Sequence, residues 1–125
     1  MEKMFSKKHY WIINDGDTVR IGFTDFLQEK LGAIMFINLP EKGSLITKGE
    51  VFGDVESQKT VMDLEAPVSG EVMEVNNSII DEPYRINEQP YENWLIKVKA
   101  DSIPDSLIDE DSYNKFISKP WMQNH

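Results

Sequence analysis

The chain has 125 residues, enough for one domain and too few for two comfortable ones. It has no cysteine, which excludes a disulfide framework, a thiol nucleophile and a thiolate metal site. Its 22 acids against 13 lysines and arginines give a formal charge of −9, which argues against nucleic acid as a partner and fits either plain solubility or steering toward basic protein faces.

Strand signals dominate. The N-terminal MEKMFSKKHYW has basic residues but no apolar signal core, and no apolar run approaches membrane-spanning length. The expected setting is therefore cytoplasmic, without a membrane partner. His9–Ile13 leads through the turn-rich Asn14–Asp17 to Thr18–Phe23, where Val19, Ile21 and Phe23 alternate onto one face; this predicts a hairpin. Asp25–Gly32 predicts one short helix, with Asp25 as cap, Gln28 three residues on as in a capping box, and Gly32 ending it in the left-handed conformation. Ala33–Pro40 is an apolar strand stopped by its proline. Gly43 and Gly49 then punctuate short strands, and two further runs meet at a break marked by Pro67 and Gly70. Asn93–Ala100 is a last alternating strand. Asp105–Ile117 suits a C-terminal helix, its acids Asp109, Glu110 and Asp111 placed early where the helix dipole favours them. The tail beyond it reads as loose, with Trp121 as a candidate docking point. Gly-Glu-Val occurs at both 49–51 and 70–72, a faint echo between two hairpin halves. Short strands with turn signals every several residues predict a mainly β sandwich or barrel.

No enzyme constellation stands out. The two histidines, His9 and His125, are far apart in sequence, no metal-ligand spacing is present, and no serine sits in a nucleophile motif. The position that asks for an explanation is Lys59. If GDVES and TVMDL are the arms of a tight hairpin, Gln58-Lys59 fill the loop, Glu56 faces Val61, Val55 faces Met62 and Asp54 faces Asp63. A two-residue type I′ loop favours Asn-Gly, so Gln-Lys is a poor choice for folding alone. It does present one amine to solvent. An ordinary solvated lysine fits the same local pattern.

The longer pattern separates the two. Gly49 lies ten residues before Lys59 and Gly70 eleven after it; Glu56-Ser57 precede the lysine and Ala66-Pro67-Val68-Ser69-Gly70-Glu71-Val72 follow. This resembles the lipoyl-lysine hairpin of the glycine cleavage system H protein family. Val19–Gly43 and Val75–Lys99 resemble further segments of that family, so the likeness runs from about His9 to Ile117. It implies a barrel-sandwich hybrid with a short internal helix and a C-terminal helix, residues 1–125 forming a single lipoyl-binding domain. It also implies lipoate amide-linked to Lys59, and a carrier in place of an enzyme. Biotin carriers share the fold but usually set methionines on both sides of the lysine, where this chain has Gln58 and Thr60.

The partners implied are a pyridoxal-phosphate glycine decarboxylase, a folate-dependent aminomethyltransferase, dihydrolipoyl dehydrogenase and the enzyme that attaches lipoate. Glu56 and Asp63 are candidate recognition or arm-contact residues. Where the family often reads Ser-His-Glu-Trp, this chain has Lys8-His9-Tyr10-Trp11, which replaces two of three groups held to grip the amine of the loaded arm. Asp63 keeps the third. Asn93 replaces the usual glycine before Trp94. Ser57–Asp63 also resembles a divergent group of H-like lipoyl proteins thought to act in lipoate relay or stress-linked pathways. That role is the alternative within the carrier class; an unmodified β-sandwich interaction module is the alternative outside it.

Overall fold

The computed structural model describes residues 3–119. Of the expected loose tail, residues 120–125, with Trp121 and His125 among them, lie outside the described residues. The first hairpin pairs β2 (Tyr10–Asp15) with β3 (Thr18–Phe23) in unbroken register from Tyr10↔Phe23 to Asp15↔Thr18. A short β1 (Lys3–Phe5), which no sequence signal predicts, extends its edge. Next come α1 (Asp25–Leu31), β4 (Ile34–Asn38), β5 (Leu45–Ile46), the hairpin of β6 (Val51–Ser57) and β7 (Val61–Glu65), and β8 (Gly70–Val75). Two one-turn helices, α2 (Asn77–Asp81) and α3 (Tyr84–Glu88), lead to β9 (Ile96–Ala100), and α4 (Glu110–Ile117) closes the described chain.

The strands form a six-stranded sheet in the order β1-β2-β3-β9-β8-β5 and a three-stranded sheet in the order β4-β6-β7. Their inner faces share one core: Ile12, Ile21, Val72 and Val98 from the large sheet, and Ile37, Val55 and Leu64 from the small one. This is a barrel-sandwich hybrid. The two Gly-Glu-Val repeats start strands in different sheets, β6 in the small one and β8 in the large. Burying an aliphatic side chain contributes roughly 1.5–3 kcal/mol. Fully buried Val55 and Leu64 therefore anchor the body of the β6–β7 hairpin and leave its tip free of folding duty.

Alternation along β2 sends Tyr10 and Ile12 to that core and Trp11 to the opposite side. There Trp11 joins Phe5 and Tyr113 in a second cluster, with Ile108 and Phe116 against it. Phe5 stacks on Tyr113 at 4.8 Å. The Trp11 indole lies against bare Gly22, where a Cβ would strike it, and its Nε1 donates to the Pro90 carbonyl at 3.0 Å. The second cluster is what holds α4 to the sheet.

Local chemistry moves several expected boundaries. Thr24, not Asp25, caps α1: its hydroxyl accepts from Leu27 N at 3.2 Å. Asp25 is the first helical residue and takes Gln28 Nε2 at 2.8 Å. Gly32 ends the helix at the expected residue and with positive φ, 75, but its ψ of −158 puts it outside the left-handed helical conformation expected there. The C-terminal helix begins at Glu110 instead of near Asp105, because Asp109 accepts from Ser112 N at 2.8 Å and caps it there. The residues just before that cap stay extended enough for Ile108 to bridge Phe5.

Candidate functional site

The β6–β7 hairpin has the register expected from the sequence: Asp54↔Asp63, Val55↔Met62 and Glu56↔Val61. Ser57 N donates to the Thr60 carbonyl at 2.8 Å and closes the loop around Gln58-Lys59. The loop is not type I′, however, since neither residue has positive φ. Ser57 supplies what an Asn-Gly pair would have supplied. Its buried hydroxyl accepts from Lys59 N at 3.1 Å and Thr60 N at 3.2 Å, and donates to the Thr60 carbonyl at 3.3 Å. A serine that satisfies the backbone two and three residues on is a local turn device. It frees the tip from needing glycine and lets a long side chain stand there. Serine is a known turn former, but nothing in the local sequence pattern marks Ser57 as the residue that organises this loop.

Lys59 is exposed, and among the described residues its ammonium has no hydrogen bond or ion pair. Its stem is nevertheless placed. The aliphatic Cε lies 3.3 Å from where a Cβ on Gly32 would stand, so the stem crosses the bare backbone at the end of α1. Gln58 N donates to the Ala33 carbonyl at 2.9 Å, which ties the tip to the α1–β4 turn.

Glu56 and Asp63 come to one exposed outer face of the small sheet. Phe36, Glu56 and Val61 form one cross-strand row, and Asn38, Asp54 and Asp63 the next. Asn38 Nδ2 donates to Asp54 Oδ1 at 2.7 Å. Phe36 and Val61 are exposed by 58% and 63%, so this face joins acids to apolar side chains beside the lysine.

Tyr10 and Lys8 do not form the amine-holding corner that the resemblance suggested. Tyr10 is 1% exposed and packs near the rings of Phe23 and Phe52. Burial raises its phenol well above the usual tyrosine range, against an opposing interaction with the Glu65 backbone. It is a core residue, out of reach as an acceptor for a mobile arm. Lys8 lies 3.4 Å from the Glu65 carboxylate at the rim of a cavity of about 240 Å³ whose lining includes Lys48, Pro67 and Leu107. Asn93 holds structure: its Nδ2 donates to the Arg85 and Gln89 carbonyls and caps the end of α3.

A lipoyl group needs an acylable amine at a protruding tip, and the donor present fits: one unpaired ammonium on a pinned two-residue loop. Among the described residues no group of three or more His, Cys, Asp or Glu side chains is placed to hold a metal. No helix of the described chain is long and apolar enough to cross a membrane.

Comparison with known proteins gives the same direction. The family model described as Glycine cleavage H-protein matches residues 3–120. A glycine cleavage system H protein from Clostridioides difficile is 49% identical over 115 residues, covering 90% of this chain and 92% of that one. One from Geobacillus thermodenitrificans is 46% identical over 121 residues, covering 94% and 95%. Among solved structures, a glycine cleavage system H protein from Mycobacterium marinum superposes with a TM-score of 0.87 at 35% identity, covering 94% of this chain and 98% of that one.

Proposed function

The chain belongs to the glycine cleavage H-protein family, and from that premise we propose that it is a lipoyl carrier with its arm on Lys59, moving an aminomethyl group between partner enzymes. The observation that carries the reading is the unpaired, exposed Lys59 at a tip pinned by Ser57 and tied to Ala33. The carrier itself performs no bond chemistry. When bound, the lipoyl group supplies a sulfur pair that can be loaded and redox-cycled. The protein supplies reach, direction and a docking face. A tethered group is offered to successive active sites at high effective concentration, without diffusing free between them.

The partners in this reading are the pyridoxal-phosphate glycine decarboxylase, the folate-dependent aminomethyltransferase, dihydrolipoyl dehydrogenase and the lipoate-attaching enzyme, met in the cytoplasm. The glycine-cleavage names of the relatives support this reading over lipoate relay. The built tip supports it over an unmodified interaction module.

Lys59→Arg tests the assignment. Arginine keeps the charge, but its guanidinium does not form the lipoyl amide. Intact mass after expression with lipoate is expected to show the lipoyl increment on the natural chain and none on the variant. Stability should change by less than about 0.5 kcal/mol, as for other exposed positions. A lipoyl increment surviving on Lys59→Arg places the arm on another lysine.

A further inference from the structure

The seat beneath Lys59 is itself held by a side chain distant in sequence. Asn87, on α3, uses its whole amide on the α1–β4 turn. Its Oδ1 accepts from Ile34 N at 2.9 Å, and its Nδ2 donates to the Gly32 carbonyl at 2.8 Å and to Gln28 Oε1 at 2.9 Å. Between those anchors stands Ala33, whose carbonyl takes Gln58 N of the hairpin tip. Ile34 also pairs with Ser57, the residue that pins the loop. Gly32 has φ 75 and ψ −158, a region that is essentially glycine-only. Glycine reaches that region without steric cost, and the Asn87 bonds to the Gly32 carbonyl and to Ile34 N hold the turn in it from both sides. Asn87 is fixed in turn by its neighbour Ile86, fully buried in the main core.

We propose that Asn87 is a positioning residue for Lys59: by clamping the Gly32–Ile34 turn it fixes the surface across which the lysine stem lies, and so sets the direction in which the arm leaves the hairpin. This rests on Lys59 as the attachment residue. A long lysine at an exposed tip would otherwise sample many rotamers. A stem laid across a bare glycine is aimed before the attaching enzyme arrives, and nucleophile placement is where small displacements cost most rate. Gly32 then has two duties, ending α1 and leaving room for the stem, and a Cβ there would oppose both.

The test uses the unmodified, isotope-labelled full chain first. A nuclear Overhauser contact between the Lys59 ε-methylene and the Gly32 α-protons is expected in the natural protein; its absence overturns the proposal before any variant is made. Asn87→Asp keeps the acceptor for Ile34 N and loses both donors. It is expected to lose that contact and to slow lipoate attachment by about tenfold in kcat, with KM little changed because the outer docking face is intact. Asn93→Ala is the matched control: it removes two hydrogen bonds from the same helix without touching the turn, and should leave the contact and the kinetics at natural values. Natural kinetics and a retained contact in Asn87→Asp overturn the proposal. So does an equal loss in Asn93→Ala, which would reduce the effect to the stability of α3. A natural chain that shows the contact but takes no lipoate at Lys59 instead overturns the attachment reading.

Discussion

Glu56 and Asp63 are surface charges that no fold requirement explains, since both lie on the outer face of the small sheet. Glu56 sits between Phe36 and Val61, immediately below the tip, and is the better placed to be read by an attaching enzyme. Glu56→Lys is expected to slow single-turnover lipoylation while leaving the melting temperature nearly unchanged; an unaltered rate removes Glu56 from the recognition set. Tyr10 behaves in the opposite way. Putting the family's glutamate back, as Tyr10→Glu, would place a carboxylate at a 1% exposed core site, where the Glu65 backbone and the coulombic effect of Glu65 act in opposite directions and burial opposes the charged form. The variant is expected to melt well below the natural protein and to gain nothing in holding an amine. Scanning calorimetry checks this, and an unshifted transition would show the site to be open to water. The Lys8–Glu65 pair is exposed on both sides and sits in the class of surface ion pairs worth about 0–1 kcal/mol, so Lys8→Ser should be nearly silent in stability.

At the scale of elements, Gly70 and α4 show how far strand logic reaches. The sequence places Gly70 at a break between strands, but it begins β8 and pairs with Ala100 and Ile46. Glycine is needed there because a Cβ would collide with the Lys99 carbonyl. Gly70→Val is therefore expected to destabilise by splitting β8 from β9, visible as a lowered melting temperature and lost protection of the Asp101 amide, which donates to Ser69 O just beyond the pair. The α4 helix docks through the Tyr113 hydroxyl, which bonds both His9 Nδ1 and the Thr24 hydroxyl at 2.8 Å. Burial first, and Lys8 second, lower His9 to about 4. A base depressed in the fold takes up its proton more readily when unfolded, so stability is full above about pH 6.5, falls as pH drops toward about 4, and loses no more from this group below that. His9→Asn removes the titration and suits the positive φ of 76 at this position. Its melting temperature should fall less steeply over that pH range; an identical slope assigns the loss to carboxylates instead.

Apart from the three-residue β1, the main strands and the hairpin register are legible in the sequence because two-residue alternation is a local signal. The helix ends shift because Thr24 and Asp109 compete with neighbouring caps. The one-turn α2 and α3 are too short to show a helical period, and the bond from Asn87 to Gly32 spans 55 residues that no local pattern connects.

For the molecule as a whole, charge and shape act together. A formal charge of −9 repels copies of the chain from one another and would steer it toward any partner that presents a basic face. Steering depends on screening, and the Debye length falls from about 30 Å at 0.01 M to about 3 Å at 1 M salt. The hairpin acids Asp54, Glu56 and Asp63 share one face with exposed Phe36 and Val61. Distant charge should bring a partner to this face, and the apolar pair should then hold it. The two contributions separate by experiment. With the lipoylated chain and dihydrolipoyl dehydrogenase, the second-order rate at limiting carrier is expected to fall steeply as salt is raised. Glu56→Gln with Asp63→Asn should flatten that salt dependence and slow the low-salt rate, converging on the natural protein at high salt. Phe36→Ser should do the reverse, lowering the rate by a similar factor at every ionic strength, because an apolar contact is not screened. A natural protein whose rate ignores salt would mean that partners meet it without steering, and the acids on this face would then need another explanation.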